Sequence, residues 1–561
     1  MSIEETIKWL STNNLSVSAT KVSAAIFTRH RLPSNIGQVR IGNHVIQIKD
    51  NIKILGINLD TKMNFKKHIS EITAKCEKGL NILRKITNTK WGAHPETCLM
   101  LYRSIIRSRI DYGCFIYGAV SQSEQKKLDR IQFSAVRTCL GAFRSTPTNV
   151  LINEAGEPPL TIRRQALSKR FLVKKLNEGC DDIPKQLENL ARLHVTSSFW
   201  KNRPAPPLIT SFYEIKPNEE FILTNKKIPY YNFPEAYATV NPYIDLTINL
   251  TNLISISKIC KNKDFEDNIA IRYPEHLHIY TDGSKMENSA GCAIYVPNHK
   301  YSKKLKLPNF TSIFTAEIIA IHTAVKYAWE KKIPKCIIFS DSKASILALQ
   351  KPNRRSSQLI FEILNTMKTI NNSENSMTLI WIKAHADIIG NETADSLARE
   401  ACQNGEEYTR LPALDLNYLI KEQSLKTWQG EFSKSLNYKG TTYALTNMRI
   451  TQKTWFKKVK EDRKFISTIS RLRFGHTRSK SHLAKIGIIQ NPMCQCGREQ
   501  ETIDHIFWKC KIYMKQRKSM YKMLQDKGIV FPINSQVLIS YNNVDIYKIM
   551  YKYITSIKID L

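Results

Sequence analysis

Two acidic residues follow strand-like segments of the chain. The alternating segment HLHIYTDGS (276–284) delivers Asp282 at its end, followed by the turn residue Gly283, and the buried-strand segment KCIIFSDS (335–342) brings Asp341 to the equivalent place. Ligand sites of open α/β sheets form at the carboxyl ends of the strands. The two aspartates therefore predict a functional site at one edge of a sheet, although an Asp before Gly or Ser is also a common turn residue.

Two further acids lie on predicted helices of the same stretch. The segment SIFTAEIIAIHTAVKYAWEKK (312–332) has apolar residues at helical spacing, and Glu317 lies one position from the centre of its apolar face. A carboxylate that faces a core costs several kcal/mol unless it is paired or metal-bound, so Glu317 is a candidate site residue. The segment WIKAHADIIGNETADSLAREA (381–401) predicts a strand end, a loop with His385 and a helix that presents Asp395.

Four converging carboxylates without matching bases repel one another, and divalent cations relieve that repulsion. Hard oxygen ligands select Mg²⁺ or Mn²⁺. Two such ions can activate a water molecule and stabilise the leaving oxygen of a phosphodiester. The order Asp282, Glu317, Asp341, Asp395 therefore predicts a two-metal hydrolytic site, whereas His385 alone is more often a solvated loop residue than a catalyst.

A second set of candidate ligands lies nearer the end of the chain. The segment MCQCGREQETIDHIFWKC holds Cys494, Cys496, His505 and Cys510 in the pattern C-x-C-x₈-H-x₄-C. Three thiolates and one imidazole form a closed tetrahedral zinc set, and bound zinc would stabilise this small charged segment. The alternative is four unrelated residues whose cysteines act as small core side chains. We expect a structural Zn²⁺ site at 494–510.

The segment before that set, 453–480, is basic and carries interleaved aromatic residues at Trp455, Phe456, Phe465 and Phe474. Basic side chains for phosphates, together with aromatic rings for stacking, are what single-strand binding needs. A solvated helix face with a core stripe gives the same pattern. Both interpretations remain open from the sequence.

The rest of the chain must position these groups, and its patterns indicate several regions. Apolar runs at 22–27 and 52–60 predict short strands, and amphipathic patterns at 68–87 and 95–109 predict helices. Alternating strand and helix signals then predict an α/β domain, which follows a Pro- and Asn-rich linker. The predicted regions are, in chain order, a mainly helical region (1–202), a linker (203–274), the α/β domain (275–402) and a basic helical C-terminal region (403–561).

The chain has 561 residues, with 84 Lys and Arg against 49 Asp and Glu and a formal net charge of +35. An excess of that size favours a polyanionic partner, and nucleic acid fits better than a membrane. The least charged stretch, 246–257, is too short and polar to span a bilayer, and residues 1–14 lack the pattern of a secretory signal. The twelve scattered cysteines indicate reduced thiols and an intracellular protein, nuclear or cytoplasmic. Segments 1–275, 276–402 and 403–561 carry net charges of +15, +5 and +15, so the flanks are expected to hold the nucleic acid.

The motifs YTDGS, TAE within a helix, SDS at a strand end and W-x-x-x-H-x-x-x-x-G-N-x-x-A-D-x-x-A together resemble the type 1 ribonuclease H family over about 275–402. The resemblance implies a five-stranded mixed sheet flanked by helices and a two-Mg²⁺ endonuclease that cuts the RNA strand of RNA–DNA hybrids. One departure is Ala384, which stands where many members carry Gly. The acidic order Asp, Glu, Asp, Asp also separates the chain from DDE-type integrases and transposases, whose order is Asp, Asp, Glu.

The same resemblance implies a role for each site residue. Asp282 would bridge both ions, Asp395 would complete the shell of one ion, and Glu317 with Asp341 would complete that of the other. His385 would lie on a mobile loop and assist proton transfer or product release.

The flanks resemble the carboxyl-terminal part of a jockey- or I-like non-LTR retrotransposon polyprotein. The segments that carry this resemblance are KWLSTNNLSVSATKVSAAIFTRHR, LGINLD, LYRSIIRSRIDYGCFIYG, GAFRSTPTNVLINEAGEPPLTIRR and RLRFGHTRSKSHLAKIG. In that family a reverse transcriptase precedes them, and they correspond to its thumb and connection. The Asp181-Asp182 pair lacks the aromatic-x-Asp-Asp hairpin pattern of a polymerase, so we expect the palm to be absent and no polymerase activity from this chain alone.

Together these observations predict an RNA–DNA hybrid ribonuclease that is part of a retroelement protein and binds RNA and DNA. The alternative is a catalytically silent fragment of such a protein that only binds nucleic acid. The complete set of four carboxylates favours the ribonuclease. The oligomeric state leaves no signal in the sequence.

Overall fold

A computed structural model describes most of the chain. The described residues are 3–18, 21–28, 38–41, 44–88, 91–178, 182–198, 205–223, 233–246, 258–353, 355–371 and 375–561. The weakly charged stretch 246–257 lies outside them after its first residue, as does Asp181 of the Asp-Asp pair. Among the described helices, none is long and apolar enough to cross a membrane.

The elements are mainly helical toward both ends of the chain, with strands and helices alternating in between. The first part contains α1 (Ile3–Thr12), β1 (Val39–Ile41), β2 (His44–Ile46), β3 (Asn51–Ile54), β4 (Ile57–Asp60), α2 (Lys66–Ile86), α3 (Pro95–Leu101), a π-helix (Tyr102–Arg107), α4 (Ser108–Asp111), α5 (Cys114–Tyr117), α6 (Gln122–Leu140) and α7 (Thr148–Glu154). The middle part contains α8 (Leu160–Asn177), α9 (Asp182–Thr196), α10 (Pro207–Ile215), β5 (Ile222–Leu223), α11 (Phe233–Ala236), β6 (Ile244–Asp245), α12 (Lys258–Arg272), β7 (Leu277–Lys285), β8 (Ala290–Val296), β9 (Tyr301–Leu307), α13 (Ile313–Glu330), β10 (Lys335–Ser340), α14 (Lys343–Gln350), α15 (Gln358–Ile370), β11 (Ser376–Trp381), α16 (Ile389–Asn404), β12 (Glu406–Glu407) and β13 (Leu411–Pro412). The last part contains α17 (Leu416–Leu436), α18 (Thr441–Ala444), α19 (Arg463–Phe474), α20 (Lys480–Lys485), a π-helix (His505–Lys509), α21 (Met514–Gln525), α22 (Ser535–Ser540) and α23 (Val544–Ser556).

These elements form two compact units. Unit 1 consists of residues 1–167 and 424–561, and unit 2 consists of residues 168–423. Both ends of the chain therefore belong to one unit, and the α/β part is inserted between them in sequence. This division differs from the regions expected from the sequence, in which the two flanks are separate, because it depends on contacts between residues far apart in the chain.

A seven-stranded mixed sheet lies at the centre of unit 2. Its strand order is β12-β9-β8-β7-β10-β11-β6. Strands β7, β8 and β9 pair antiparallel, whereas β7, β10 and β11 pair parallel. The predicted mixed α/β sheet is thus confirmed, but it has seven strands rather than five. The two additional strands, β6 and β12, are two residues long, which is too short to leave a periodic signal in the sequence.

Helices on this sheet include α13, α16 and α12. Helix α13 packs against β7, β8 and β10, and α16 packs against β7, β8 and β9. Helix α13 begins after Ser312, whose Oγ accepts a hydrogen bond from the backbone N–H of Thr315 at 3.2 Å, as an N-cap residue does. The third helix, α12, lies in the expected linker 203–274, yet its residues Phe265 and Ile269 are fully buried in the sheet core. The end of the expected linker is therefore part of the α/β unit.

One continuous apolar core joins both ends of the chain in unit 1. Leu80 and Tyr102 come from the N-terminal part, Phe465, Phe507 and Tyr547 come from the C-terminal part, and all five are fully buried. Helix α19 packs against α3, α6 and α7. Neither part alone can bury these side chains, so the two parts stabilise each other.

A buried ion pair lies in the same core. Nε of Arg473 lies 2.6 Å from Oε1 of Glu154, and both side chains are almost completely buried. Trp455 donates its Nε1–H to Oε1 of Glu154 at 2.8 Å, and Tyr443 donates its hydroxyl to Oε2 at 2.7 Å. Breaking a buried pair by removing one partner costs about 3–5 kcal/mol, so this network specifies how α7 packs against α19.

Two strand predictions in unit 1 change in the structure. Residues 52–60, expected as a strand, belong to the hairpin β3–β4, because Gly56 at φ 86° lets the chain reverse. Residues 22–27, all of them described, form no strand and contribute one isolated bridge, between Ala24 and Ile48. A short apolar run does not by itself distinguish a strand from a buried extended segment.

Candidate active site

The site begins where the parallel pairing of β7 and β10 ends. That pairing runs to Thr281 opposite Ser340, so Asp282 and Asp341 are the next residues on neighbouring strands. Strand β7 continues for three residues beyond Asp282 because it also pairs with β8. Gly283 is therefore a strand residue and not the turn residue expected from the sequence.

The missing side chain of Gly283 lets α13 approach β7 closely. A Cβ atom at this position would lie 2.6 Å from the backbone N of Glu317 and 2.8 Å from the carbonyl carbon of Ala316. Such distances are far inside van der Waals contact, so a larger residue would push the helix away from the strand. Glu317 can therefore lie beside Asp282 because the next residue on the strand, Gly283, has no side chain. This role of Gly283 becomes visible only in the packing of α13 on β7.

Three of the predicted acids meet at this point. Asp282, Glu317 and Asp341 each bring one carboxylate oxygen to within 4.8 Å of the others. Asp282 and Glu317 are each 6% exposed, and Oε2 of Glu317 is buried without a hydrogen-bond partner among the described residues. A buried carboxylate oxygen without a donor is costly unless an ion completes its surroundings. Clustered carboxylate oxygens of this kind fit Mg²⁺ or Mn²⁺.

Burial and mutual repulsion favour the protonated forms of these acids. Burial, with the charges of Asp341 and Asp395, raises the pKa of Asp282 to about 8. Burial and the charge of Asp282 raise the pKa of Glu317, and burial raises the pKa of Asp341. A divalent cation among them would favour the ionised forms instead, because it supplies the missing positive charge.

Asp341 is held by two donors. Nδ2 of Asn391 donates to its Oδ2 at 3.4 Å, and Nε1 of Trp381 donates to its main-chain carbonyl at 3.0 Å. Asn391 lies in the first turn of α16. The preceding residue, Gly390, allows this turn to pack on Tyr280, because a Cβ atom there would lie 2.2 Å from the ring. Sequence reasoning identified Gly390-Asn391 as a helix start and missed both contacts.

Asp395 lies one turn after Asn391 on the same face of α16. Its Oδ2 accepts a hydrogen bond from Nη2 of Arg399 at 2.8 Å, and its side chain is 29% exposed. It does not belong to the group of three within 4.8 Å, although its charge contributes to the raised pKa of Asp282. The i, i+4 spacing of Asn391 and Asp395 is the signal that could have identified Asn391 from the sequence.

His385 lies in the turn between β11 and α16 and is exposed. Its φ of 54°, like the φ of 61° at Asp387, lies in the left-handed region that non-glycine residues avoid. Its charge acts to lower the pKa of Asp341, so the ring lies near the acidic cluster. A strained turn beside a cluster of acids is a pattern of functional loops.

The four expected zinc ligands also converge, in unit 1. Sγ of Cys494 lies 3.7 Å from Sγ of Cys510, and Sγ of Cys496 lies 3.2 Å from Nε2 of His505. All four ligand atoms lie within 4.8 Å of one another. With Zn–S distances of about 2.3 Å, two sulfur atoms of a tetrahedral site are about 3.8 Å apart. The donor set and the spacing both fit zinc.

Neighbouring groups adjust these ligands. Nδ1 of His505 lies 3.3 Å from Oε2 of Glu499, the kind of contact by which a carboxylate orients a metal-binding imidazole. A hydrogen bond donated by the backbone N–H of Arg498 lowers the pKa of Cys496 to about 6. Burial raises the pKa of Cys494 to about 12. Cys496 is therefore available as a thiolate near neutral pH, whereas Cys494 would lose its proton as a cation binds.

The aromatic residues of 453–480 are core residues. Phe456, Phe465 and Phe474 are fully buried, and Trp455 is partly buried against the same core. Rings in these positions cannot stack on nucleotide bases. The single-strand stacking interpretation is therefore wrong for this segment. The rings belong to the core as the alternative expected, but helix α19 is buried on nearly all sides and lacks the solvated face of that alternative.

Comparison with protein families matches residues 274–403 to RNase H. Similar proteins include the RNA-directed DNA polymerase from mobile element jockey of Drosophila melanogaster, 25% identical over 190 residues, which are 33% of this chain and 20% of that protein. The Pol polyprotein from type-1 retrotransposable element R1 of Bradysia coprophila is 23% identical over 169 residues, 30% of this chain and 16% of that protein. Human ribonuclease H1 is 28% identical over 145 residues, 23% of this chain and 51% of that protein.

The chain spans a fifth or less of the two retrotransposon proteins and about half of ribonuclease H1. The range matched by the family contains all four acids, the turn with His385 and the strands and helices that hold them. Residues 274–403 therefore form an RNase H domain, in a chain related to the jockey and R1 retrotransposon proteins.

Proposed function

We propose that the chain hydrolyses the RNA strand of RNA–DNA hybrids endonucleolytically, as a type 1 ribonuclease H within a non-LTR retrotransposon protein. The observation that carries the proposal is the convergence of Asp282, Glu317 and Asp341, with a buried Oε2 of Glu317 that has no donor among the described residues. The similarity to human ribonuclease H1 supports the same reaction.

The carboxylates of Asp282, Glu317, Asp341 and Asp395 would hold two Mg²⁺ ions, for which Mn²⁺ is a substitute of the same ligand preference. When bound, such ions lower the pKa of a water molecule and stabilise the charge that develops on a phosphodiester during hydrolysis. Glu317 depends most on them, because its buried oxygen lacks a protein donor among the described residues.

The surrounding side chains keep these acids in position. Asn391 restrains one oxygen of Asp341 through its amide, and Arg399 restrains one oxygen of Asp395 through an ion pair. His385 is exposed on the turn before α16. We assign it to proton transfer or product release, because its ring has both solvent access and electrostatic contact with Asp341.

No polymerase activity is proposed for this chain. Asp182 opens helix α9 and so lacks the strand–turn–strand setting in which paired aspartates hold polymerase metals. The assignment of residues 1–202 to a reverse transcriptase thumb and connection is a proposal that the similarity to the jockey protein supports. We also propose that the reaction takes place inside the cell, in the nucleus or the cytoplasm, as expected from the scattered cysteines and the nucleic-acid partner.

The cluster of Cys494, Cys496, His505 and Cys510 is proposed as a structural zinc site. All four positions are taken by protein ligands, which leaves no open position for a substrate or a reactive water. Its contribution would be to the stability of unit 1 rather than to hydrolysis.

The test is cleavage of a labelled RNA–DNA hybrid by the purified full chain with Mg²⁺. We expect cleavage by the wild type and a fall in the cleavage rate of roughly 10³-fold or more in Asp282→Asn and in Glu317→Gln. Each change removes a negative charge that holds the metal ions, and with it several kcal/mol of transition-state stabilisation. Gel resolution of the labelled RNA strand measures the rate.

A matched control uses the same helix. Glu330→Gln removes an exposed carboxylate at the end of α13 and should leave the rate unchanged. Equal rates in the wild type and Asp282→Asn would contradict the proposal. Hybrid binding by the wild type without cleavage in either Mg²⁺ or Mn²⁺ would identify the chain as a catalytically silent nucleic-acid-binding fragment.

A further inference from the structure

Positive charge is concentrated in unit 1. Residues 1–167 and 424–561 contain 51 Lys and Arg against 21 Asp and Glu, a net charge of +30, whereas residues 168–423 contain 33 against 28, a net charge of +5. A unit with such an excess of positive charge attracts polyanions over long range. Its specific contacts with them should be found where cationic groups cluster without equal numbers of acids.

One such cluster lies where the loop after α6 meets the loop after α19. Both helices end at a glycine in the left-handed region, Gly141 at φ 64° and Gly475 at φ 70°. Nε of Arg471 donates to the carbonyl of Gly141 at 2.9 Å and so joins the second helix to the first loop. Nε of Arg137 donates to the carbonyl of Phe143 at 3.1 Å and shapes that loop from within. The two loops, the second of which continues into α20, therefore form one surface, which we call the loop pair (residues 141–147 and 475–485).

Cationic side chains outnumber acids at the loop pair. The guanidinium groups of Arg471 and Arg478 lie 4.5 and 5.8 Å from the ring centroid of Phe143. Two carboxylates reach the same surface: Asp560 pairs with Arg478 at 2.5 Å, and Glu501 accepts a hydrogen bond from the backbone N–H of Lys480. The exposed or partly exposed cations of the loop pair are Arg144, Arg478, Lys480 and Lys485, whereas Arg471 is buried beneath them.

The electrostatic balance of these groups is consistent with a shortage of negative charge. Burial and the nearby charge of Arg144 lower the pKa of Arg137. Burial and the charge of Arg478 lower the pKa of Arg471 to about 10. Burial is the larger cause of both shifts, and the like charge of a neighbouring arginine is the second. An anion bound at the surface would offset only the repulsion between these like charges.

A polar centre lies among the cations. Oγ of Ser145 lies 3.0 Å from Nδ1 of His476 and 3.3 Å from Nε2 of His482, and the two rings are 4.7 Å apart. Burial, with the charges of His482 and Lys485, lowers the pKa of His476 to about 4, so this ring is neutral at pH 7. All three side chains are half-buried and reach the surface. These three groups carry three polar hydrogens, of which two serve their mutual hydrogen bonds, so one hydrogen is left to donate to an oxyanion that the neighbouring cations attract.

We propose that the loop pair binds the phosphodiester backbone of a nucleic acid. Arginine and lysine supply the charge that phosphate binding needs, and the group of Ser145 with the two histidines supplies one neutral donor at its centre. The partner is a nucleic acid rather than an isolated anion, because the site belongs to a unit of net charge +30 whose field extends well beyond one phosphate. This site is separate from the acidic cluster, and its binding does not depend on the proposed hydrolysis.

The test measures binding of the full chain to a fluorescein-labelled duplex DNA of about 20 base pairs, which contains no RNA strand to cleave. The double variant Arg144→Gln/Lys485→Gln changes two exposed cations and leaves the loop hydrogen bonds in place. We expect its affinity at 0.1 M salt to fall roughly tenfold or more, and the slope of log K against log salt to become shallower by about 2, since each phosphate contact contributes about 0.9. Fluorescence anisotropy across a salt series measures both quantities.

The control double variant is Lys126→Gln/Arg130→Gln, which removes the same charge from exposed positions near the start of α6. These positions lie about 15–20 Å along the helix from its end at the loop pair. Equal losses in the two double variants, or no loss in Arg144→Gln/Lys485→Gln, would overturn the proposal.

A third variant tests the polar centre. Ser145→Ala keeps all charges and should weaken binding a few-fold without changing the salt slope, and an unchanged affinity would refute the assigned role of this hydroxyl. Competition by poly-glutamate that matches competition by DNA, and that the Arg144→Gln/Lys485→Gln change abolishes equally, would show a site for acidic protein instead of nucleic acid.

Discussion

At the scale of a single side chain, Glu317 is a candidate metal ligand whose burial costs free energy in the absence of a cation. Its position near the centre of an apolar helix face was visible in the sequence, because the 3.6-residue period defines that face without any tertiary information. Its neighbours were not visible. The close approach to Asp282 depends on Gly283, and the missing donor for Oε2 depends on what the fold leaves around it. Both come from packing.

The raised pKa of Asp282 predicts a pH-dependent stability of unit 2. Its folded-state pKa of about 8 lies above its ordinary value of 3.8, so between these values the folded state holds a proton that the unfolded state releases. The contribution of this carboxyl group to the stability of the folded state is then fully present below about pH 4 and is lost as the pH rises to about 8. We expect hydrogen exchange in β7 and α13 of the metal-free protein to accelerate over this window, and millimolar Mg²⁺ to slow it again at pH 8.

Asp282→Asn is the control for that measurement. The amide cannot ionise, so the variant should lose both the pH dependence and most of the Mg²⁺ effect in these two elements. Exchange that slows as the pH of the metal-free protein rises, after correction for the intrinsic exchange rate, would be the opposite of this expectation.

At the scale of an element, the segment 494–510 shows how a few ligands organise a stretch with little core of its own. The two cysteines nearest in sequence lie in one turn, His505 is the first residue of a π-helix, and Cys510 follows the end of that helix. Arg517 of α21 donates from Nε to the carbonyl of Phe507 at 2.8 Å and from Nη2 to that of Cys510 at 2.5 Å, which connects the segment to the core of unit 1. The ligands are thus held before any metal is considered.

Zinc removal should therefore destabilise unit 1 without touching the acidic cluster. We expect one zinc per chain in the purified protein and a lower Tm after chelation, because metal binding supplies folding free energy. Cys496→Ser should lose the zinc. Cys76→Ser, a change at a buried cysteine elsewhere in unit 1, should lower Tm yet retain the metal. Metal analysis and scanning calorimetry separate the two effects, and a wild-type chain that takes up no zinc on reconstitution would disprove the assignment.

At the scale of the whole molecule, both ends of the chain build one unit. Nη1 of Arg463 donates to the carbonyl of Cys139 at 2.8 Å across 324 residues of sequence, and Arg473 pairs with Glu154 across 319. Residues 1–167 and 424–561, which are the greater part of the two basic flanks, are consequently one basic unit. Their net charges of +13 and +17 give this unit its +30, and the total sets the attraction for nucleic acid.

This arrangement predicts how the chain can be divided. Residues 168–423 expressed alone should fold and cleave hybrid, but bind it more weakly and with a shallower salt dependence than the full chain. Residues 1–167 alone should lack a cooperative thermal transition, because their core is completed by residues 424–561, and co-expression with 424–561 should restore that transition. Circular dichroism and anisotropy provide the readouts. A cooperatively unfolding 1–167 fragment would contradict the shared core.

Local sequence patterns are enough to predict the fold class of the middle region and the two sets of candidate ligands. The mixed α/β region follows from alternating strand and helix signals, and both ligand sets follow from residue type and spacing, since strand ends and helix faces are short-range properties. The end of the expected linker and the strand expected at 22–27 differ in the structure, because Pro- and Asn-rich segments and short apolar segments have no strong period. Phe265 in the buried core of unit 2 is an example: its segment has few repeating signals, yet the sheet needs it.

Residue type and spacing are enough to identify the candidate ligands of this chain, which are four acids in order and three cysteines with one histidine in a zinc-type spacing. Contacts between distant parts of the chain are needed to see that Asp395 lies beside the closest three acids and not among them, and that the aromatic residues of 453–480 are core. The same is true of the shared unit that residues 1–167 and 424–561 form. The physical reason is the range of the forces involved. Residue type and helical or strand period act over a few neighbours, whereas burial and net field are sums over parts of the chain hundreds of residues apart.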